Sequence, residues 1–458
     1  MKTVRLLIVA LIALGLFGYS EARAGTGVSD KFEPYSLYSG EYGGRQSGSY
    51  VAYRARVTVP GAVEMRLFFG KVSLGNSSYI LITSLEDSSQ QHLDAATISQ
   101  WNYTTAYFNG NAVEVELHVA SGDSQVFFNL DSVLVGKGNM AVTGPDQPYT
   151  TLPDNRTPSS DPAVGRLRDL KYGNEATAWI AANGYLVTAG HVAGTWRNNG
   201  DLTDQVLEFD VPNSQSNQTM NDPPPQDQYF VYRWVDWDAT GTDTGDDWGV
   251  FLVNPNSETG LYPIQAQQKY YEAEQNDNCS SLRVTGYGSA SGILYDTQQT
   301  ATGSDAGSSG QLLKFSVYIR NGNSGSPVID ENTGKVVGIV DDTTTSDYNV
   351  GTSMYNSRLW SYMQPTTQTA TVTQLLSDNT TTDPNLWQWN GSSFASLSPG
   401  SQITVTTGNP EVLKGDQSLD NGQKYNNWTL NAGPDYDVIN PHKFLMMGTN
   451  FTSHLDPV

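Results

Sequence analysis

Residues 177–192 read TAWIAANGYLVTAGHV, and residues 320–329 read RNGNSGSPVI. The first stretch has the pattern of a strand, an Asn-Gly hairpin and a second strand, with His191 at the exit of the second strand. The second stretch is a turn bracketed by glycines that contains Ser324 and leads into an apolar strand. Together they predict an imidazole held by a rigid strand end and a hydroxyl exposed on a tight turn.

This pairing of residue types suits nucleophilic catalysis. A serine hydroxyl is a poor nucleophile at neutral pH, so it needs a base to take its proton and N–H donors to hold the developing oxyanion. Gly322 allows its own N–H and that of Ser324 to turn toward one point. His191 is the only histidine between His118 and His442, so it is the one candidate base there. The same fact disfavours a multi-histidine zinc site in this part of the chain.

The two stretches resemble a known family. Residues 188–191, TAGH, resemble the histidine motif of the trypsin/chymotrypsin-like serine peptidases, and residues 322–327, GNSGSP, resemble their serine motif. The serine motif is similar to that of the bacterial glutamyl endopeptidase branch. The resemblance implies a mostly β protein whose central domain is a chymotrypsin-like double β-barrel with the catalytic triad in the cleft between the barrels.

The resemblance also implies the third triad member. Residues 246–253, DDWGVFLV, resemble the family segment that carries the aspartate, and the alignment favours Asp247 over Asp246. The catalytic residues would then be His191, Asp247 and Ser324, with the N–H groups of Gly322 and Ser324 as the oxyanion hole. An alternative is that residues 236–247 form a calcium loop, which would occupy Asp247 and pass the triad role to Asp246.

Three positions bear on specificity and activation. Tyr318 lies six residues before the nucleophile, where the family often has its pocket floor, and it suggests no particular charge. Asp341 and Asp342 follow Val340, where the glutamyl branch carries a histidine. We expect these carboxylates to favour a basic residue before the scissile bond. Asn323 stands where many animal members have the aspartate that receives a new amino terminus, so that form of activation is not expected.

The order of segments predicts three folded units. Residues 1–24 read as a secretory signal peptide, with positive charge, a short apolar run and an Ala-Arg-Ala cleavage site, so the protein is expected to be secreted. Alternating segments and regular turns predict an N-terminal β-sandwich over residues 25–136. Residues 137–162 read as a linker, residues 163–365 as the peptidase domain, and residues 366–458 as a small β-rich module.

Composition narrows the range of partners. A net charge of −22 disfavours nucleic acid and anionic membranes, because phosphates repel an acidic surface. No stretch after the signal is apolar for long enough to span a membrane. Cys279 is the only cysteine, so no intrachain disulfide can form and the residue is expected to be buried. The expected partners are protein or peptide substrates, and the flanking modules are expected to bind carbohydrate or protein surfaces.

The sequence therefore predicts a secreted serine endopeptidase that needs no cofactor. Two alternatives stay open. The first is a non-catalytic binding protein on a peptidase scaffold, although such proteins usually lose the serine or the histidine. The second is an esterase that uses the same triad.

Overall fold

The structure is a computed structural model, and it describes most of residues 31–363 together with the C-terminal strands. It covers residues 31–46, 48–137, 151–169, 174–196, 205–241, 243–290, 292–344 and 347–363, and the backbone of the strands between residues 367 and 447. The predicted signal peptide at residues 1–24 lies outside the described residues, as do residues 138–150 of the predicted linker.

The N-terminal module, residues 31–137, is a sandwich of two antiparallel sheets. In chain order its elements are β1 (Lys31–Tyr38), β2 (Tyr50–Thr58), β3 (Ala62–Ser73), β4 (Tyr79–Ser84), β5 (Gln90–Leu93), α1 (Ala95–Gln100), β6 (Phe108–Asn109), β7 (Ala112–Val119) and β8 (Phe127–Lys137). One sheet has the order β1-β8-β3-β6 and the other β2-β7-β4-β5. Apolar side chains from both sheets, such as Leu67 and Val115, form one buried core between them.

The central region, residues 151–363, begins with a closed barrel. A two-residue strand, β9 (Thr157–Pro158), comes first. The barrel elements are β10 (Val164–Asp169), β11 (Asn174–Ile180), β12 (Leu186–Thr188), α2 (Gly190–Trp196), β13 (Gln205–Glu208), β14 (Gln228–Gly241) and β15 (Asp246–Val253). The strands close in the order β10-β11-β12-β15-β14-β13.

A seven-stranded sheet follows the closed barrel. Besides β9, its strands are β16 (Leu282–Gly286), β17 (Gln299–Gly303), β18 (Leu312–Phe315), β19 (Pro327–Asp330), β20 (Val336–Asp342) and β21 (Asn349–Ser353). Helix α3 (Pro263–Gln267) precedes these strands in the chain, and helix α4 (Ser357–Met363) follows them. The strand order is β18-β21-β20-β19-β16-β17-β9, so β9 returns from the predicted linker to the sheet edge. Buried side chains of both halves meet in one core, which includes Trp248 of the barrel and Ile339 of the sheet.

The C-terminal segment is also built of strands. They are β22 (Thr367–Gln374), β23 (Leu386–Trp389), β24 (Phe394–Leu397), β25 (Gln402–Thr406), β26 (Glu411–Gly415), β27 (Leu419–Asp420), β28 (Gln423–Lys424), β29 (Trp428–Asn431), β30 (Asp435–Asn440) and β31 (Lys443–Met447). They form sheets of three, five and two strands.

The N-terminal module docks on the closed barrel. Tyr107 and Gln228 exchange two hydrogen bonds, from the Tyr107 N–H to Oε1 at 2.8 Å and from Nε2 to the Tyr107 carbonyl at 2.9 Å. The rings of Trp101 and Phe230 lie 5.7 Å apart between their centroids. These contacts lie near the start of β14, whereas Asp247 pairs with Ala239 near its end. At about 3.3 Å per residue, the docking contacts are roughly 30 Å along the strand from Asp247.

The predicted fold class is confirmed: the protein is mostly β, with chymotrypsin-like barrel architecture in the centre and β modules on both sides. Among the helices of the described residues, none has the length and apolar character needed to cross a membrane. Cys279 is buried, and burial followed by the nearby Asp330 carboxylate raises the pKa of its thiol to about 12.

Candidate active site

His191 is placed by the chain reversal between β12 and α2. Helix α2 starts at Gly190, only two residues after β12 ends at Thr188. A Cβ on Gly190 would lie 1.6 Å from the Asp238 carbonyl oxygen, so no other residue fits without moving the backbone of β14. The glycine of the TAGH motif therefore lets the helix sit close against the hairpin of β14 and β15, with His191 beside the start of β15.

Asp247 fixes the orientation of the His191 ring. Its side chain is fully buried, and Oδ2 lies 2.6 Å from His191 Nδ1. Oδ1 accepts the backbone N–H of His191 at 2.5 Å, so both carboxylate oxygens are engaged by one residue. Burial opposes the charged imidazolium, but Asp247 outweighs it and, with a smaller contribution from Asp342, raises the pKa of His191 above its usual value. The arrangement therefore leaves Nε2 as the ring atom free to exchange a proton.

Ser324 lies on a loop from the other half of the central region, and this loop contacts the closed barrel. Its loop is bracketed by Gly322 and Gly325, whose φ angles of +95° and +85° are unfavourable for any residue with a Cβ. The Ser324 carbonyl accepts the Thr177 N–H at 2.9 Å, and a Cβ on Gly325 would lie 2.1 Å from Thr188 Oγ1. The serine loop is thus packed on β11 and β12, the strands that lead to His191.

The backbone of the serine loop leaves two donors unused. The N–H groups of Asn323, Gly325 and Ser326 all bond to backbone carbonyls. Among the residues that the structure describes, no protein acceptor is recorded for the N–H of Gly322 or of Ser324. Such donors suit an oxygen that gains negative charge during a reaction. No hydrogen bond joins Ser324 to His191 in the described residues, and catalytic hydrogen bonds of this kind are often long in the absence of substrate.

Asp341 lies in the interior behind Asp247, so it does not line the surface where we expected it to meet substrate. The residue is 1% exposed, and its Oδ2 accepts Thr352 Oγ1 at 2.9 Å. Thr352 Oγ1 also accepts the backbone N–H of Asp247 at 3.0 Å. Burial, followed by the negative charge of Asp247, raises the pKa of Asp341 well above its usual value, which favours the neutral acid. Thr352 and Asp341 were not identified as support for Asp247 by the sequence patterns.

The other two residues considered for specificity are Asp342 and Tyr318. Asp342, one residue further along β20, is exposed, and its charge acts on His191. Tyr318 is 6% exposed and lies between two cations, with the guanidinium carbons of Arg156 and Arg320 at 5.0 and 5.2 Å from its ring centroid. The Asp154 carboxylate, which pairs with Arg156, lies in the same surroundings, so charges of both signs are present near Tyr318. The sequence patterns did not indicate these charges.

The acidic residues considered as a calcium loop have protein partners. Asp236 forms an ion pair with Arg358 and accepts the Tyr362 hydroxyl at 2.9 Å. Asp238 also faces Arg358, at 3.4 Å from Nη1. Residues 236–241 and 246–247 belong to the paired strands β14 and β15. Because these carboxylates bind Arg358 and His191, they are not arranged as the ligands of an EF-hand loop.

Asp246, the alternative triad member, points to different partners from Asp247. Its Oδ2 accepts Gln311 Nε2 at 2.8 Å and Thr244 Oγ1 at 3.1 Å, and its Oδ1 accepts Asn356 Nδ2 at 3.2 Å. Of the two neighbouring carboxylates, only Asp247 contacts His191.

One protein family resembles part of the central region. Residues 176–339 match the family model of the trypsin-like peptidase domain. None of the curated proteins compared with the chain matches it.

Several solved structures are similar to part of the chain. A Glu endopeptidase in complex with MPD is 14% identical, with a TM-score of 0.35, and the match covers 45% of this chain and 94% of that chain. The thermostable serine protease AL20 from an extremophilic microorganism is 14% identical, with a TM-score of 0.33 and coverage of 43% and 92%. The protease Anisep from Arthrobacter nicotinovorans is 14% identical, with a TM-score of 0.33 and coverage of 43% and 93%. Residues 176–339 of this chain are thus similar to a trypsin-like peptidase domain by the family model, which spans less than half of the chain.

Proposed function

We propose that the protein is a secreted serine endopeptidase that works through His191, Asp247 and Ser324 with an acyl-enzyme intermediate. The observation that carries the proposal is the buried Asp247 carboxylate, which holds His191 by its backbone N–H and by Nδ1 at 2.5 and 2.6 Å. The serine loop supports it, since the N–H groups of Gly322 and Ser324 have no acceptor among the described residues and the loop is bonded to Thr177 of the same barrel. The match of residues 176–339 to a trypsin-like peptidase domain supports a peptidase function.

The proposed reaction has an acylation half and a deacylation half, and His191 accepts and returns a proton in each. Ser324 Oγ attacks the peptide carbonyl carbon while its proton passes to His191 Nε2, and the N–H groups of Gly322 and Ser324 bind the oxyanion. His191 then gives the proton to the leaving amine, which leaves an ester on Ser324. Water, activated by His191, hydrolyses this ester and restores the enzyme. Asp247 stabilises the imidazolium that forms in both halves.

Labelling with a fluorophosphonate probe tests the proposal. We expect modification of Ser324 in the wild-type protein, identified by peptide mapping, together with hydrolysis of casein. A protein that hydrolyses a short-chain ester but spares casein would be an esterase. A protein that is not labelled and cleaves neither substrate would be a binding protein on a peptidase scaffold. Export is tested separately by the amino terminus of the secreted protein, which we expect near Gly25.

A preference for basic residues before the scissile bond now depends on Asp342 alone. Asp341 is buried and accepts the Thr352 hydroxyl, so its carboxyl group does not face a substrate. If Asp342 contacts the substrate, Asp342→Asn should reduce the ratio of Lys to Leu peptide cleavage. Equal cleavage of the two peptides by the wild-type enzyme would contradict a preference for basic residues.

The pH profile tests the role of Asp247. His191 must be neutral to act as a base, so activity should rise with pH as His191 loses its proton. Because Asp247 raises the pKa of His191, this rise should lie above the pH usual for histidine. We expect Asp247→Asn to lower kcat by about four orders of magnitude. It should also shift the acid limb of the residual kcat/KM profile to lower pH.

Asp246→Asn is the matched control, since it removes the neighbouring carboxylate, which bonds Gln311 and Asn356 instead of His191. Its acid limb should coincide with that of the wild type. If Asp246→Asn shifts the limb and Asp247→Asn does not, the third triad member is wrongly assigned.

A further inference from the structure

Arg156 reaches the base of the serine loop from the segment before β9. Its side chain is 10% exposed, so the guanidinium is largely buried. Nη1 donates to the Ser289 carbonyl at 2.7 Å and to the Gly288 carbonyl at 3.4 Å. A buried guanidinium with fixed carbonyl partners acts as a rigid connection, because its planar group orients several N–H donors at once.

The two residues that Arg156 holds contact the serine loop directly. The Ser289 N–H donates to the Asn321 carbonyl at 2.7 Å. A Cβ on Gly288 would lie 2.1 Å from Asn323 Oδ1, so the Asn323 side chain packs on the backbone of Gly288. Arg156 therefore supports the backbone on both sides of Gly322, whose N–H is one of the two proposed oxyanion donors.

Asn323 closes the loop with its own side chain. Its Oδ1 accepts the Arg320 N–H at 3.0 Å, and its Nδ2 donates to Ser326 Oγ at 3.2 Å. This amide is uncharged, so it offers no ion pair to a terminal ammonium group. A positive charge that reaches the loop from outside it is that of Arg156, whose Nη1 would lie 3.4 Å from a Cβ on Gly288.

Arg156 is in turn held by contacts on its own side. Asp154 accepts Arg156 Nε at 3.0 Å and Nη2 at 2.8 Å, which is a bidentate ion pair. Hydrogen bonds from Arg156 lower the pKa of Asp154, so this carboxyl stays ionised. Strand β9, which follows at once, pairs with Gln299 and Thr300 of β17. The arginine is thus fixed by the strand after it and by the carboxylate before it.

We infer that Arg156 is a positioning residue that holds the oxyanion-binding loop in its active arrangement through Gly288 and Ser289. Because Arg156 acts by its side chain from within the chain, no new amino terminus is needed next to the serine loop. The enzyme is therefore active without cleavage at the segment that precedes Arg156. This inference rests on the proposed peptidase function.

The test is kinetic and uses chemical rescue on the full chain. We expect Arg156→Ala to lower kcat by about 10- to 100-fold with little change in KM, because oxyanion donors act mainly in the transition state. Added guanidinium ion should restore part of this loss, whereas a general loss of stability would not be restored. Arg156→Lys should give an intermediate kcat, since a single ammonium cannot replace the planar fork.

Arg283→Ala is the matched control, because Arg283 lies on β16 of the same sheet and pairs with Glu331 at 2.6 Å. It should keep the wild-type kcat and show no response to guanidinium. If Arg156→Ala does not fold, Asp154→Asn gives the same readout, because it frees Arg156 from its carboxylate without removing it. In that case the kcat of Asp154→Asn should be lower than the kcat of Arg283→Ala.

Intact-mass measurement of the fluorophosphonate adduct tests the activation step. We expect the labelled wild-type chain to retain the residues that precede Arg156. The inference is overturned if only shorter chains cleaved before Arg156 are labelled, or if Arg156→Ala keeps the full wild-type kcat. Failure of the proposed function is a different result, because the wild-type protein would then carry no label on Ser324 at all.

Discussion

His191→Ala and Ser324→Ala are each expected to lower kcat/KM for peptide hydrolysis by about four to six orders of magnitude. Without the imidazole, the hydroxyl keeps its proton and is a poor nucleophile, and without the hydroxyl no acyl-enzyme can form. The double variant should lose little more than either single variant, because the two groups act as a unit. The measurement is the initial rate on a casein-derived peptide, together with the rate of fluorophosphonate labelling.

The matched control for the histidine is His118→Ala. His118 lies in the N-terminal module, where its ring stacks on Tyr79 at 4.5 Å between centroids and its Nε2 lies 3.1 Å from Glu116. This variant should keep wild-type activity. A His191→Ala enzyme that retains activity within about 10-fold of the wild type would be incompatible with general base catalysis by this residue.

Local patterns were sufficient to predict the strands that carry the site. The glycines on both sides of Ser324 match φ angles of +95° and +85°, which are local properties of the backbone that a single sequence can indicate. The TAGH motif marked the turn that carries His191, but the contact that requires Gly190, with the Asp238 carbonyl oxygen, is distant in sequence and is seen only in the structure.

The support around the site could not be predicted in the same way. Asp341 and Asp342 are adjacent, and the alternation of a strand sends one inward and the other outward. The apolar run before them gave no clue to which face is buried, because both faces of β20 are covered. Arg156 lies in a segment whose composition suggested a linker, and its partners at 288 and 289 are more than a hundred residues away.

Local sequence patterns also could not predict a cluster of buried ion pairs between the N-terminal module and the barrel. Arg168 Nη2 lies 2.8 Å from Glu64 Oε1, and these residues are 104 positions apart. Arg168 Nη1 also lies 2.8 Å from Asp222 Oδ1. The members of the cluster, all buried, are Glu64, Arg166, Arg168, Glu175, Glu208, Asp222 and Asp296. Glu64 of the module and Arg168 of the barrel therefore form an ion pair that is buried where the two parts meet.

The cluster contains more acids than bases, and the pKa directions accommodate this. Burial raises the pKa of Glu175, Asp222 and Asp296, which favours their neutral forms. For Glu64 burial has the same tendency, but the charge and hydrogen bonds of Arg168 outweigh it and lower the pKa. Glu64 is thus held as a carboxylate by an arginine of the barrel.

We expect Arg168→Met to lower the free energy of unfolding by about 3–5 kcal/mol. Removing the guanidinium leaves the Glu64 carboxylate buried without its main partner, and the contact of Arg168 with the Tyr107 ring, at 3.8 Å from the centroid, is lost as well. The measurement is urea unfolding followed by tryptophan fluorescence. Glu64→Gln changes the same pair from the side of the N-terminal module, and it should also destabilise the protein.

The control is Arg54→Met, which removes a surface pair within the N-terminal module. The Arg54 side chain is 58% exposed and pairs with Glu116, so its loss should cost at most about 1 kcal/mol. If the N-terminal module were only tethered to the peptidase domain, Glu64→Gln would leave the heat inactivation of the peptidase unchanged. We expect instead that it lowers the temperature at which peptide hydrolysis is lost, because Arg168 of β10 then keeps only the partners within the barrel. That outcome would make the module a structural part of the enzyme, although it docks at the opposite end of β14 from Asp247.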